Sequence, residues 1–439
     1  MKIVSIVPKI YNNIDRKIIY KWFLIGLFIR FLIMPFCFHE HISNIYYRSN
    51  FLLQGNWTDF FGNFKILLHY IHALFLLIFK QFIPNLSNFW DYSVRDYPYS
   101  WAVEVNHPYI FRILFLFKIP YLFFDMFCAF LLLRFWDKKE NGIFCFKFWM
   151  INPISIYVIY MICRYECISI FFVLLSLYYL KSSKILKASF WLMMSVLTRI
   201  YTLIFLPFYL VFAKSLKQRI KICLVFIISF FLLEGIKNLF LQKGLGINDF
   251  NIAKLSDYKY MINPTIEGGS SNFLDYILSC NFFLYTYDRI FIFIVVYALF
   301  LLHFINSTQK TFEKLFKYLF SIILLLFAIC FFHPQYFMWA IPFISIFITE
   351  NKKLISCYVI MTICFFVYVL QWDNFLTFGL FSPLSSFFLY SVKSPLKIIS
   401  SYMPVKSFIG IFRSILSATL LWMIYLIWKN NNEKKFETK

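Results

Sequence analysis

The chain has 439 residues, 61% of them hydrophobic, and a mean hydropathy of +0.70. A soluble domain is nearer half apolar, and the apolar runs of about 17–25 residues found here exclude that class. The formal charge of +22 would suggest nucleic acid in a soluble protein, but the basic residues fall in short clusters between apolar runs, as the positive-inside rule requires, so nucleic acid is excluded as a partner.

The runs predict an all-α polytopic membrane protein, since a barrel would show short alternating segments. Lys2, Lys9, Arg16, Lys17 and Lys21 place the N-terminus in the cytoplasm. Residues 18–38 form the first span, read as a retained anchor because no small-residue cleavage site accompanies it. A first external loop, 36–108, is aromatic and comparatively acidic, with Glu40, Asp59, Asp91, Asp96 and Glu104. Within it 64–83 is apolar but broken by Lys65, His69, His72 and Lys80, which predicts an interfacial helix. Residues 109–135 return to Arg134, Lys138 and Lys139; 144–163 lead out and 167–180 lead back, with only Arg164-Tyr165-Glu166 between them. Basic clusters flank both ends of 188–213, which is too short for two full crossings of about 20 residues each. A pair of short helices turning near Thr198-Arg199 is expected, and such broken backbone is tolerated where it lines a cavity. Residues 222–241 lead to a second external loop, 242–287; 288–304, 319–332, 335–348 and 354–371 alternate sides; a third external loop, 372–406, precedes the last span, 407–428. The sum is about twelve membrane helices in one integral domain, 1–439, with both termini inside. The ten cysteines show no CxxC or Cys/His spacing and read as packing residues.

Charges within spans cost about 2.5–3.5 kcal/mol each on insertion scales and need a reason. Arg30, Lys118, Asp125, Arg164, Glu166, Arg199, Glu234 and His333 all lie in or at the ends of spans. The plain reason is structural ion pairing, Lys118 with Asp125 or Arg164 with Glu166. The alternative is a polar cavity opening outward, because Glu40, Lys118, Arg164, Glu166, Arg199 and His333 fall toward the external side. Basic groups there suit a lipid phosphate, which lies at this depth. In Phe332-His333-Pro334-Gln335, Pro334 fits the first turn of a helix and puts His333 in front of it. Glu40, between His39 and His41, is the leading general base; Asp96 and His41 are the other candidates.

The order of elements is the further signal. Arg30 in the first span and an acid in the first external loop come first. Then come Tyr97-Pro98, Lys118-Ile119-Pro120 with Asp125, Asn152-Pro153, Arg164-Tyr165-Glu166, Thr198-Arg199 and His333-Pro334-Gln335-Tyr336 with Trp339. This resembles the GT-C superfold of membrane glycosyltransferases, the polyprenyl-phosphate-sugar-dependent, mannosyltransferase-like group, over roughly residues 29–342. The resemblance implies inverting transfer of a hexose, mannose among the candidates, from a polyprenyl-phosphate donor to a glycan or glycolipid acceptor on the non-cytoplasmic face. It implies Glu40 as base, with Arg30, Lys118, Arg164, Glu166, Arg199, His333, Gln335 and Tyr336 on the substrate side. The loop acid is Glu where the family usually has Asp, and Arg-Tyr-Glu stands where Gly-Gln-x-Asp is usual. No Asp-x-Asp signature is present, so no metal or cofactor is expected. The expected location is the bacterial inner membrane, or the endoplasmic reticulum in a eukaryote. The competing classes are a glycan polymerase or ligase using a diphosphate-linked lipid oligosaccharide, and a flippase.

Overall fold

The computed structural model describes residues 11, 13–53, 66–90, 99–242, 277–285 and 288–429. The fold is mostly helical, as the apolar runs dictate: lipid leaves no water to satisfy backbone groups, and a helix satisfies its own. Among the described residues three helices are long and apolar enough to cross a membrane, Ile110–Phe135, Leu354–Leu376 and Val405–Lys429. The pair Lys139–Met150 and Pro153–Met161, bent by 43°, counts as a fourth when taken as one broken span. Among the described residues one paired element is not helical. Asn281–Tyr285 (β1) and Asp288–Phe291 (β2) pair antiparallel inside and just beyond the second loop, in an aromatic run suited to a strand.

The first unit joins α1 (Asn13–Ile33), α2 (Glu40–Leu53), α3 (Ile66–Phe79), α4 (Tyr99–Val105) and α5 (Ile110–Phe135). Helix α3 falls within the segment 64–83; its Leu68 and Leu76 are buried while Leu74, Leu77 and Ile78 are exposed. Next come α6 (Lys139–Met150), a π-helical turn at Tyr157–Met161 and α7 (Glu166–Lys181). The short pair is present: α8 (Ile185–Val196) breaks off, a 3-10 turn runs from Ile200 to Phe205, and α9 (Leu206–Phe212) follows. Helices α10 (Leu216–Gln242), α11 (Ile292–Ile305) and α12 (Phe312–Ile329) lead to a 3-10 turn at Pro334–Ala340 and α13 (Ile341–Glu350). Helices α14 (Leu354–Val369) and α15 (Val405–Lys429) close the chain.

Helix α12 shows where the core sits. Every residue from Leu315 to Ala328 is buried, Lys317 and Ser321 included, the mark of a helix packed on all sides. Helices α14 and α15 instead expose rows of apolar side chains, Val359 and Ile363 on one and Ile411, Ile415 and Leu421 on the other. Such continuous apolar surface belongs against lipid.

The third loop packs onto the first. The Phe38 amide donates to the Leu380 carbonyl at 2.8 Å, Trp101 Nε1 donates to Ser382 Oγ at 2.8 Å, and the Tyr157 hydroxyl donates to the Leu376 carbonyl. These bonds cover the segment that carries His39, Glu40 and His41.

Candidate active site

Two irregular backbone segments set the site. The first is the exit from α1, residues 34–39, which ends where Glu40 opens α2. The second is the π-helical turn at Tyr157–Met161, followed by Cys163 at φ 60° and then Arg164. A π-turn and a non-glycine residue in the left-handed region both cost energy, and such backbone collects at functional sites. Lys118 holds the two segments together. Its Nζ donates to the carbonyls of Met34 at 2.7 Å, Cys37 at 2.5 Å and Tyr160 at 2.9 Å. An ammonium has three donors, so Lys118 is fully used. It is a positioning residue beneath the site, and the expectation that it faces a ligand is corrected.

Arg30 is corrected in the same way. It is fully buried and donates from Nε to Asp125 at 2.5 Å, and from one terminal nitrogen to the carbonyls of Gly26 and Met150 at 2.9 and 2.7 Å. Asp125 also accepts from Trp149 Nε1 and from the Tyr160 hydroxyl, each at 2.7 Å. Asp125 therefore pairs with Arg30 across 95 residues, and not with Lys118 two turns away on its own helix. Gly26 gives Arg30 and Met150 room here: a Cβ would come within 2.3 Å of Met150 Cε and 3.1 Å of the Arg30 guanidinium, so the end of the Met150 side chain would have to move.

The remaining residues do gather. Glu166, fully buried, accepts from Arg199 Nε at 3.0 Å and from its terminal nitrogen at 2.6 Å, a bidentate pair. Arg164 Nε lies 3.7 Å from the same carboxylate and, among the described residues, has no hydrogen-bond partner, although Arg164 is only 6% exposed. The Arg199 guanidinium stands over Tyr165 at 4.4 Å and over Tyr336 at 5.4 Å. His39 and His41 stack at 4.2 Å, and the His41 amide donates to His39 Nδ1 at 3.3 Å.

Electrostatics ties the two halves into one cluster. Burial holds the Glu40 carboxyl above its usual range, and the Arg164 charge opposes that rise. Burial and Arg164 push His39 down to about 3. His41 is pushed well below its ordinary value by burial first, then by Arg164, His39, Arg199 and His333. His333 falls to about 4 through burial, Arg164 and Arg199. The histidines are therefore neutral at pH 7, and Glu40 is a carboxyl poised to exchange a proton.

Tyr336 and the buried Gln335 lie on the 3-10 turn that begins after His333. That turn has seven residues and His333 makes no side-chain cap bond to it, so the expected help from a helix dipole is small. Asp96 falls outside the described residues, as do Asp59 and Asp91. Two members escaped the sequence reading as site residues. His39 was passed over for its neighbours, and Tyr165, which sits under both arginines, was hidden inside Arg-Tyr-Glu.

Behind Tyr336 lies a small apolar cavity of about 20 Å³, lined by Tyr201, Phe205, Phe327, Phe331, Tyr336 and Trp339 among others. It joins the charged cluster through Tyr336, which touches both Arg199 and Tyr201. A metal ion is a separate matter. The ligand atoms of His39, Glu40 and His41 all lie within 4.8 Å of one another. The two imidazoles stack with only 23° between their planes, so their lone pairs run side by side instead of converging. A shared ion would require one ring to turn.

No protein family, curated protein or solved structure matches the chain.

Proposed function

We propose that the protein is an integral membrane glycosyltransferase. It crosses the membrane about twelve times, the basic segments marking the cytoplasmic side, and transfers a hexose from a polyprenyl phosphate to a glycan or glycolipid acceptor on the opposite face. The bacterial inner membrane is the proposed location. The observation that carries the reading is Arg164, a buried guanidinium whose Nε stands 3.7 Å from Glu166 with no hydrogen-bond partner among the described residues, and whose charge acts on Glu40. A base and a spare cation acting on each other inside a membrane protein fit a displacement in which a proton leaves one end and negative charge grows at the other.

In the proposed step Glu40 accepts the proton of the acceptor hydroxyl. The acceptor oxygen attacks the anomeric carbon and forms the new C–O bond. The bond from that carbon to the lipid phosphate oxygen breaks, its electron pair stays on the phosphate, and the configuration inverts. Arg164 holds the departing phosphate. Arg199 is committed to Glu166 and keeps Tyr165 and Tyr336 in place beside the small apolar cavity. A diphosphate-linked donor calls for more free cations than a monophosphate. Lys118 is used up on carbonyls and Arg199 on Glu166, which favours the monophosphate.

The test is Glu40→Gln in proteoliposomes supplied with polyprenyl-phosphate hexose and acceptor. The expected result is loss of transfer by about 10²–10⁴-fold with normal accumulation of protein. Turnover near that of the parent protein would overturn the assignment of Glu40.

A further inference from the structure

At the far end of the molecule from this site, α14 and α15 pack together and leave an open groove of about 820 Å³ between their basic ends. Lys353, which precedes α14, and Lys429, which ends α15, stand at its lip. Cys357, Ile360, Trp422 and Tyr425 form its walls, and no acidic side chain lines it. Ile360, Trp422 and Tyr425 are 44%, 54% and 46% exposed, so the groove opens on the surface that belongs against lipid. Lys429 Nζ lies 5.5 Å from the centroid of the Tyr425 ring.

We infer that this groove is a binding site for one anionic glycerophospholipid, its phosphate between Lys353 and Lys429 and an acyl chain along Ile360 and Trp422. Three features select that occupant. The walls are apolar where a chain would lie and aromatic near the basic rim, where Trp and Tyr sit in a membrane interface. Both lip residues are cations, and basic pockets between spans on the cytoplasmic side take anionic headgroups. The two helices are among the three long and apolar enough to span, so the groove lies on a membrane-crossing surface whatever reaction the protein catalyses.

The protein would be purified in nanodiscs holding equal amounts of phosphatidylcholine and phosphatidylglycerol, and retained lipid counted by native mass spectrometry. One phosphatidylglycerol should stay bound with roughly 10–30-fold preference, about fivefold from each lysine. The Lys353→Gln/Lys429→Gln variant should lose that preference while its apolar walls still hold either lipid weakly. Ile360→Trp, which fills the groove and leaves both lysines, should lose retention of both lipids. Equal retention of the two lipids by the unaltered protein, unchanged preference in the double lysine variant, or full retention in Ile360→Trp would each overturn the proposal. All three substitutions fall on exposed side chains, and transfer activity in the same samples reports separately on the catalytic reading.

Discussion

Two buried carboxylates, Asp125 and Glu166, organise two clusters of charge, and the clusters differ in one respect. Around Asp125 there is one cation, Arg30, and the carboxylate receives bonds from Arg30, Trp149 and Tyr160. Around Glu166 there are two cations, Arg199 and Arg164, and only Arg199 is hydrogen-bonded to it. The first cluster is neutral and joins α1, α5, α6 and the π-turn, with one terminal nitrogen of Arg30 left without a hydrogen bond among the described residues. The second carries one positive charge in excess before Glu40 is counted, and that excess sits on Arg164, next to the carboxyl and the three histidines it acts on. Buried charge is expensive, and ionisable groups kept inside a membrane protein mark functional sites.

The comparison is broken most severely at Asp125. Asp125→Ala strands Arg30 in the interior, and removing one partner of a buried pair costs about 3–5 kcal/mol. The expected outcome is failure to accumulate in membranes, measured by immunoblot against the parent protein. Arg30→Met with Asp125→Asn removes both charges and should restore part of the accumulation. If Asp125→Ala accumulates normally, the cluster is not a structural one. Lys118→Met comes next. It takes the ammonium from three carbonyls, at about 1–3 kcal/mol for each left unbonded, with only the weak Cys163 thiol still near those of Cys37 and Tyr160, and it frees the exit of α1 from the π-turn. Thermal unfolding in detergent should shift down, and any protein recovered should transfer poorly, because the segment before Glu40 and the segment before Arg164 are no longer tied.

These two clusters also show what can be read from a sequence of this kind. The predominance of helix, the broken pair near Arg199 and the gathering of Glu40, Arg164, Arg199 and His333 follow from apolar run lengths, basic clusters and Pro334. Each of those is a local signal. Pairing is not local. Lys118 and Asp125 share a helix and invite each other, yet Arg30 arrives from α1 and takes Asp125. The acceptors that claim Lys118 are backbone carbonyls, and every residue has one, so no sequence pattern announces them. The hairpin at β1 and β2 was hidden for a related reason: a short aromatic run beside a span has the same apolar signature whether it is strand or helix.

At Arg164 the comparison can be sharpened without unfolding the protein. Arg164→Gln removes a cation that bonds nothing through Nε, so accumulation should stay close to that of the parent protein. Transfer should fall by about 10²-fold, the scale seen when one donor to a developing oxyanion is removed. Arg164→Lys keeps the charge and should recover part of the rate. If Arg164→Gln fails to accumulate, the guanidinium is structural and the excess charge has another explanation.

The smallest effect, and the one that tests the electrostatics directly, is the pH dependence set by His333. Burial and the charges of Arg164 and Arg199 hold its folded value down to about 4, against an ordinary 6.5. The unfolded chain therefore takes up a proton near pH 6.5, and the folded protein refuses it until about pH 4. As pH falls through that window protons favour the unfolded state, so stability is full above 6.5 and declines below it. His39, held down to about 3, adds to the same slope. The midpoint of thermal unfolding in detergent should drop between pH 7 and pH 5, and His333→Gln should make that drop shallower while leaving the value at pH 7 nearly unchanged. Transfer has a different acid limb. It needs Glu40 ionised, and burial raises that carboxyl, so the rate should reach its plateau at a pH above the ordinary 4.5. Arg164 opposes the rise, which makes the two measurements one test: in Arg164→Gln the acid limb should move to higher pH while the stability slope from His333 becomes shallower. An acid limb that stays in place would mean that Arg164 does not act on Glu40, and the second cluster would then be no more than a second structural pair.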